Sequence, residues 1–92
     1  MKAKPEAAKT ETAVDTQIVV LDRGFVYVGK VQIDDQFVTI QNARNIRRWG
    51  TTKGLGQLAV AGPQTNTVLD DAGTVQAPMR AVIHFIACAK PW

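Results

Sequence analysis

Apolar and polar residues alternate along much of this chain with a period of two, the repeat of a half-buried strand. Gln17 to Leu21 is dominated by Ile18, Val19, Val20 and Leu21 and predicts a first strand. Asp22-Arg23-Gly24 carries turn chemistry. Phe25 to Gln32 is the clearest strand, with Phe25, Tyr27, Gly29 and Val31 on one face and Val26, Val28, Lys30 and Gln32 on the other. Gly29 leaves a gap on the aromatic face, where a strand can bend or a neighbouring chain approach. Ile33-Asp34-Asp35-Gln36 predicts the turn back into a third strand, Phe37 to Gln41, which completes an antiparallel meander.

Beyond Gln41 two patterns compete. Ile46 and Trp49 stand three apart, as one helical turn would place them, and that reading buries Trp49 beneath Ile46. Strand alternation instead groups Arg44, Ile46 and Arg48 against Asn45, Arg47 and Trp49, so that Arg47 and Trp49 share a face able to hold a stacked ligand. The strand-rich flanks and the interruption at Gly50 favour extended structure through Arg48. Leu55 to Ala61 is the only segment patterned as a helix, with Leu55, Leu58 and Ala61 at spacing three and a stop at Gly62-Pro63. Thr65 to Leu69 then predicts a short edge strand, Asp70-Asp71-Ala72-Gly73 a turn, and Met79 to Ala89 the final strand. In that last strand Ala81, Ile83, Phe85 and Ala87 oppose Val82, His84, Ile86 and Cys88.

The class that follows is mainly β: a small curled antiparallel sheet or compact β-barrel of four to five strands with one short helix. No repeated strand–helix–strand alternation points to an α/β fold. Residues 1–15 mix Ala, Lys, Glu and Thr with cancelling charges and almost no large apolar side chains, which predicts a flexible amino-terminal arm. The single mainly β domain is then 16–92. A body this small, with Cys88 as its one cysteine and so no disulfide, predicts self-association as a dimer or closed ring to complete its burial. No apolar run is long enough to span a bilayer, and no apolar targeting core stands at the start, so no membrane partner is expected.

Charge changes the picture at one place. The chain carries 11 Lys and Arg against 8 Asp and Glu, a formal net charge of +3. The segment from Arg44 to Gly54 holds Arg44, Arg47, Arg48 and Lys53 with no acid, around the indole of Trp49. Guanidinium forks suit phosphate and a flat ring can stack on a base. The glycines of Gly50-Thr51-Thr52-Lys53-Gly54-Leu55-Gly56 free a backbone able to present N–H donors, although their spacing is not that of a nucleotide-hydrolase loop. The candidate ligand-binding residues are therefore Arg44, Arg47, Arg48, Trp49, Lys53 and Gly54.

Nothing supplies a reaction. The chain contains no serine, its single histidine is His84, and its body acids Asp22, Asp34, Asp35, Asp70 and Asp71 all fall in expected turns, where carboxylates bond to backbone. His84 reads as a partly buried residue with local hydrogen bonds, and Cys88 as a reduced, buried thiol. One His and one Cys four residues apart on a strand cannot together form a zinc site. No enzyme, cofactor or metal is expected.

The stretch Val38-Thr39-Ile40-Gln41-Asn42-Ala43-Arg44-Asn45-Ile46-Arg47-Arg48-Trp49 resembles a recurrent segment of small, uncharacterised tailed-bacteriophage and prophage proteins, in which an apolar strand enters an alanine–arginine step and a basic run ending in tryptophan. The resemblance continues through Leu55, Leu58 and Ala59, the Gly62-Pro63 stop and the strand from Ile83 to Cys88. It departs at Asp22-Arg23-Gly24-Phe25, and it brings no active site to carry over. It implies a viral or prophage origin. The leading expectation is a non-enzymatic phage accessory protein of the host cytoplasm that binds an anionic partner, in one version a nucleotide signal or phosphorylated small molecule captured to blunt host defence. The alternative is a structural or interaction component of a virion that meets a phage or host protein, and the third is a binder of single-stranded nucleic acid.

Overall fold

The computed structural model describes residues 16–92, so the predicted arm lies outside the described residues. These residues form five strands and one short α-helix: β1 (Thr16–Leu21), β2 (Val26–Ile33), β3 (Phe37–Arg48), α1 (Leu55–Ala61), β4 (Val68–Pro78) and β5 (Val82–Ala87). Every ladder is antiparallel and the strand order is β4-β3-β2-β1-β5. The fold is thus mainly β, as the alternation predicts, and α1 occupies the predicted seven residues. The basic segment is extended through Arg48, not helical.

Two boundaries differ from expectation. Asp70-Asp71-Ala72-Gly73 is not a turn; β4 runs straight through it. The 12-residue β3 offers a continuous partner, with Asn45 opposite Asp70, Arg44 opposite Asp71 and Ala43 opposite Gly73. The positive φ of Gly73, 70°, is absorbed as a register shift instead of a reversal. The final strand is shorter than predicted, because Met79–Ala81 forms a 3-10 turn ahead of it. A register shift at Leu21 and Val82 then breaks the expected two-fold alternation of β5. Val82 and Phe85 consequently share one core, and Ile83 is left exposed.

Each face of the sheet carries a buried core built from this chain. On one face α1 lays Leu58 and Ala59 against Ile18, Val26, Val28 and Ile46, with Cys88 beside them. The core on the other face is formed by the sheet itself. β4 and β5 are the two edges, about 19 Å apart if the sheet were flat. The three-residue Met79–Ala81 link joins them and reaches at most about 14 Å from Pro78 to Val82. The sheet must therefore curl, and Val38, Ile40 and Ala77 from its far end pack into one core with Val19 and Leu21.

The curl has a hinge line. Register shifts fall between Val28 and Lys30 on the β2–β3 ladder and between Ile40 and Ala43 on the β3–β4 ladder. Asn42, at φ 52°, has no partner in either. Gly29 is required there, since a Cβ on it would lie 2.7 Å from Ile40 Cγ2 and 2.8 Å from the Gln41 carbonyl oxygen. Bulges that turn a strand from one layer to another are the usual corners of such packings. No ladder joins β4 to β5, so the curled sheet stays open and is not a barrel.

Candidate functional site

The basic segment does not form one patch. Arg44 is half-buried and its Nη2 donates to the main-chain carbonyl of Trp92 at 2.9 Å. Asn45 is also half-buried, and its side-chain amide donates to the Val26 carbonyl at 3.1 Å, tying β3 to the start of β2. Arg47 is exposed and pairs with Asp70 at 2.7 Å. Arg48 is exposed at the end of β3. Trp49 follows it with 43% of its surface exposed, and its carbonyl accepts the Thr67 hydroxyl at 2.7 Å. The indole is therefore not absorbed beneath Ile46.

The glycine-rich loop is closed by its own side chains. Gln57 Oε1 accepts the main-chain N–H groups of Thr52 at 3.1 Å and of Lys53 at 2.9 Å. Thr51 Oγ1 accepts the N–H of Gly54 at 3.0 Å. A phosphate would have to displace these groups to use the loop amides, so the Lys53 ammonium is the part of the loop that presents charge to an anion.

The hinge line opens a cleft of about 510 Å³ that includes Arg44 but none of the other predicted ligand residues. Lys30, Gln41, Asn42, Asp71 and Trp92 also line it. Arg44 and Asp71 are register partners across β3 and β4, yet no ion pair forms between them, because Arg44 turns to Trp92. The Trp92 ring packs on the core beneath α1, and its indole N–H is buried without a hydrogen-bond partner. Sequence reading missed this cleft. The available signals were Gly29 within an apolar strand and the lapse of alternation after Gln41.

The remaining candidates are ordinary in their surroundings. Asp34 Oδ1 accepts the N–H groups of Gln36 and Phe37, each at 2.8 Å, and these bonds hold its carboxyl below the usual range. Asp70 lies in a strand and not in the expected turn, paired with Arg47. Burial pushes the Cys88 thiol up, against a smaller lowering from the Ile18 backbone. His84 is exposed, not partly buried, since the shift in β5 carries it away from the core. No group of three metal-ligating side chains occurs among the described residues, and no helix there is long and apolar enough to cross a membrane.

No protein-family model, no curated protein and no solved structure matches this chain.

Proposed function

We propose that this chain is a non-enzymatic binding protein of tailed-phage or prophage origin whose exposed Arg48–Trp49 step takes an anionic ligand, with Lys53 adding charge. The observation that carries this reading is Trp49 itself. A large ring left 43% exposed at a strand end, directly after an exposed arginine, is a contact surface and not core filling. Arg47 is held by Asp70 and Arg44 by Trp92, so neither is the primary contact. A nucleotide signal captured in the host cytoplasm is the concrete version, with a base on the indole and phosphate on the guanidinium. Titration calorimetry against mono-, di- and cyclic nucleotides tests it. Binding weakened by both Trp49→Ala and Arg48→Ala supports it, and no heat from a folded protein removes it.

A second reading rests on a different observation. Phe25, Ile33, Val60 and Ile83 are exposed apolar side chains, each with more than half its surface open. Scattered apolar residues of this kind suit a component of an assembly that buries them against other subunits. Detection of the protein in purified virions supports that role, and its absence from particles excludes it.

A further inference from the structure

β5 closes one side of the sheet, with β1 as its neighbour and no strand beyond it among the described residues. The Cys88 N–H donates to the Thr16 carbonyl at 3.1 Å, and this bond sets the alternation of the β1–β5 ladder. Ile86 and His84 therefore turn their main-chain groups inward, opposite Ile18 and Val20. Phe85 and Ala87 turn theirs outward, and those groups have no hydrogen-bond partner among the described residues. Ile83 is 62% exposed on the same strand, where the register shift beside Val82 releases it from the ladder.

Edge strands of folded proteins carry devices against pairing, such as charges, prolines and bulges. The opposite edge of this sheet has them, since β4 carries Asp70 and Asp71 and shifts register three times against β3. β5 reads Val-Ile-His-Phe-Ile-Ala, with no Asp, Glu, Lys, Arg or Pro and one shift confined to its start. Arg80 and Lys90 lie beyond its ends. A partner strand rich in charge finds nothing to pair with along this edge. A chain of formal net charge +3 repels its own copies, but here two of them meet without opposing like charges.

We infer that β5 pairs antiparallel with β5 of a second copy, across a two-fold axis at Phe85, and joins the two sheets edge to edge. The symmetry fits a second copy because the outward residues of one strand meet the outward residues of the other. Phe85 then exchanges both of its free main-chain bonds with its counterpart, and the exposed Ile83 side chain lies against the second copy's Ala87. Pairing uses up the open edge of each copy, so the assembly stops at a dimer. Neither the Arg48–Trp49 step nor the cleft takes part.

Sedimentation equilibrium from micromolar to millimolar protein, combined with amide hydrogen exchange, tests this. The expected result is a reversible monomer–dimer equilibrium. The Phe85 and Ala87 amides should be protected at high concentration and exchange fast on dilution, while the Ile86 amide stays protected by the β1 ladder at both. Ile83→Lys and Ala87→Lys, at exposed positions, should keep the far-UV spectrum of the folded protein. Each should weaken dimerisation at least about tenfold, because the charge enters twice at a two-fold. Val60→Lys, exposed on α1, should leave dimerisation unchanged. A monomer at every concentration overturns the inference and leaves the edge to water or to a different partner. It is also overturned by a dimer whose Phe85 and Ala87 amides exchange freely, by growth beyond two copies, by dimerisation that survives both lysine variants, or by its loss in Val60→Lys. Where a lysine variant fails to fold, the exchange of Phe85 and Ala87 in the parent protein decides alone.

Discussion

The Arg44 guanidinium donates to the main-chain carbonyl of Trp92 at 2.9 Å, a bond that ties the middle of β3 to residues following β5. It fixes the tryptophan over the core beneath α1 and diverts Arg44 from its register partner Asp71. Arg44→Gln should cost about 1–3 kcal/mol, because the bond is charge-assisted and half-buried. Arg47→Ala removes an exposed pair and should cost less than about 1 kcal/mol. Urea unfolding of the two variants side by side checks the contrast; equal costs would show that Arg44 does not anchor Trp92.

Gly29 and Gly56 should respond to alanine in opposite directions. At Gly29 the new methyl meets Ile40 Cγ2 and the Gln41 carbonyl under 3 Å, and backbone cannot move aside cheaply. The expected loss is about 1–3 kcal/mol. Gly56 lies within α1, with nothing near its missing Cβ and no positive φ, so Gly56→Ala should gain about 0.5–1 kcal/mol. Thermal melts of both variants provide the measurement, and a neutral Gly29→Ala would refute the account of the hinge.

Leu58 is fully buried and carries α1 onto the sheet between Ile18, Val28 and Ile46. Leu58→Ala should cost about 2–5 kcal/mol through lost burial and a residual cavity. Hydrogen exchange should show the α1 amides losing protection before those of β1 and β2. Uniform loss would mean that the helix and sheet open as one unit.

Asp34 sets an acid dependence. Its two main-chain hydrogen bonds favour the carboxylate and lower its folded pKa, so its contribution is present above the unfolded value near 4 and is lost as pH falls through the lower folded value. Asp34→Asn keeps an acceptor but removes the titration, so the melting temperatures of variant and parent should converge below about pH 4. A gap that stays constant across that range would rule out the carboxylate as its source.

Cys88 acts at the other end of the scale. Burial raises its folded pKa, so above about pH 8.5 the unfolded thiol ionises while the folded one does not, and stability falls as pH rises. Cys88→Ala should flatten that alkaline limb. In the native state the thiol should react slowly with an aromatic disulfide reagent and rapidly after unfolding. Fast reaction of the folded protein would contradict its burial.

The amino-acid sequence by itself determined the elements whose signals are local. Alternation in β1 and β2, the Asp34 turn, the spacing of Leu55 and Leu58 and the Gly62-Pro63 stop act over a few residues, and each stands where the pattern puts it. The extended course of Arg44 to Arg48 was also legible, from its strand-rich flanks. The path of Asp70 to Gly73 was not, because turn propensity there is overridden by a ladder to β3 more than twenty residues away. Nor was the choice between open sheet and barrel, which depends on the reach of the Met79–Ala81 link and the absence of a β4–β5 ladder among the described residues. The candidate site divided for the same reason. Adjacent arginines read as one charge cluster along the chain, but a strand sends neighbours to opposite faces, and long-range partners claim them one by one. Trp92 takes Arg44, Asp70 takes Arg47, and Arg48 with Trp49 is left facing outward. Only the fold, by bending at Gly29 and Asn42, brings Arg44, Asp71 and Trp92 to one cleft, since no local pattern encodes the meeting of residues so far apart in the chain.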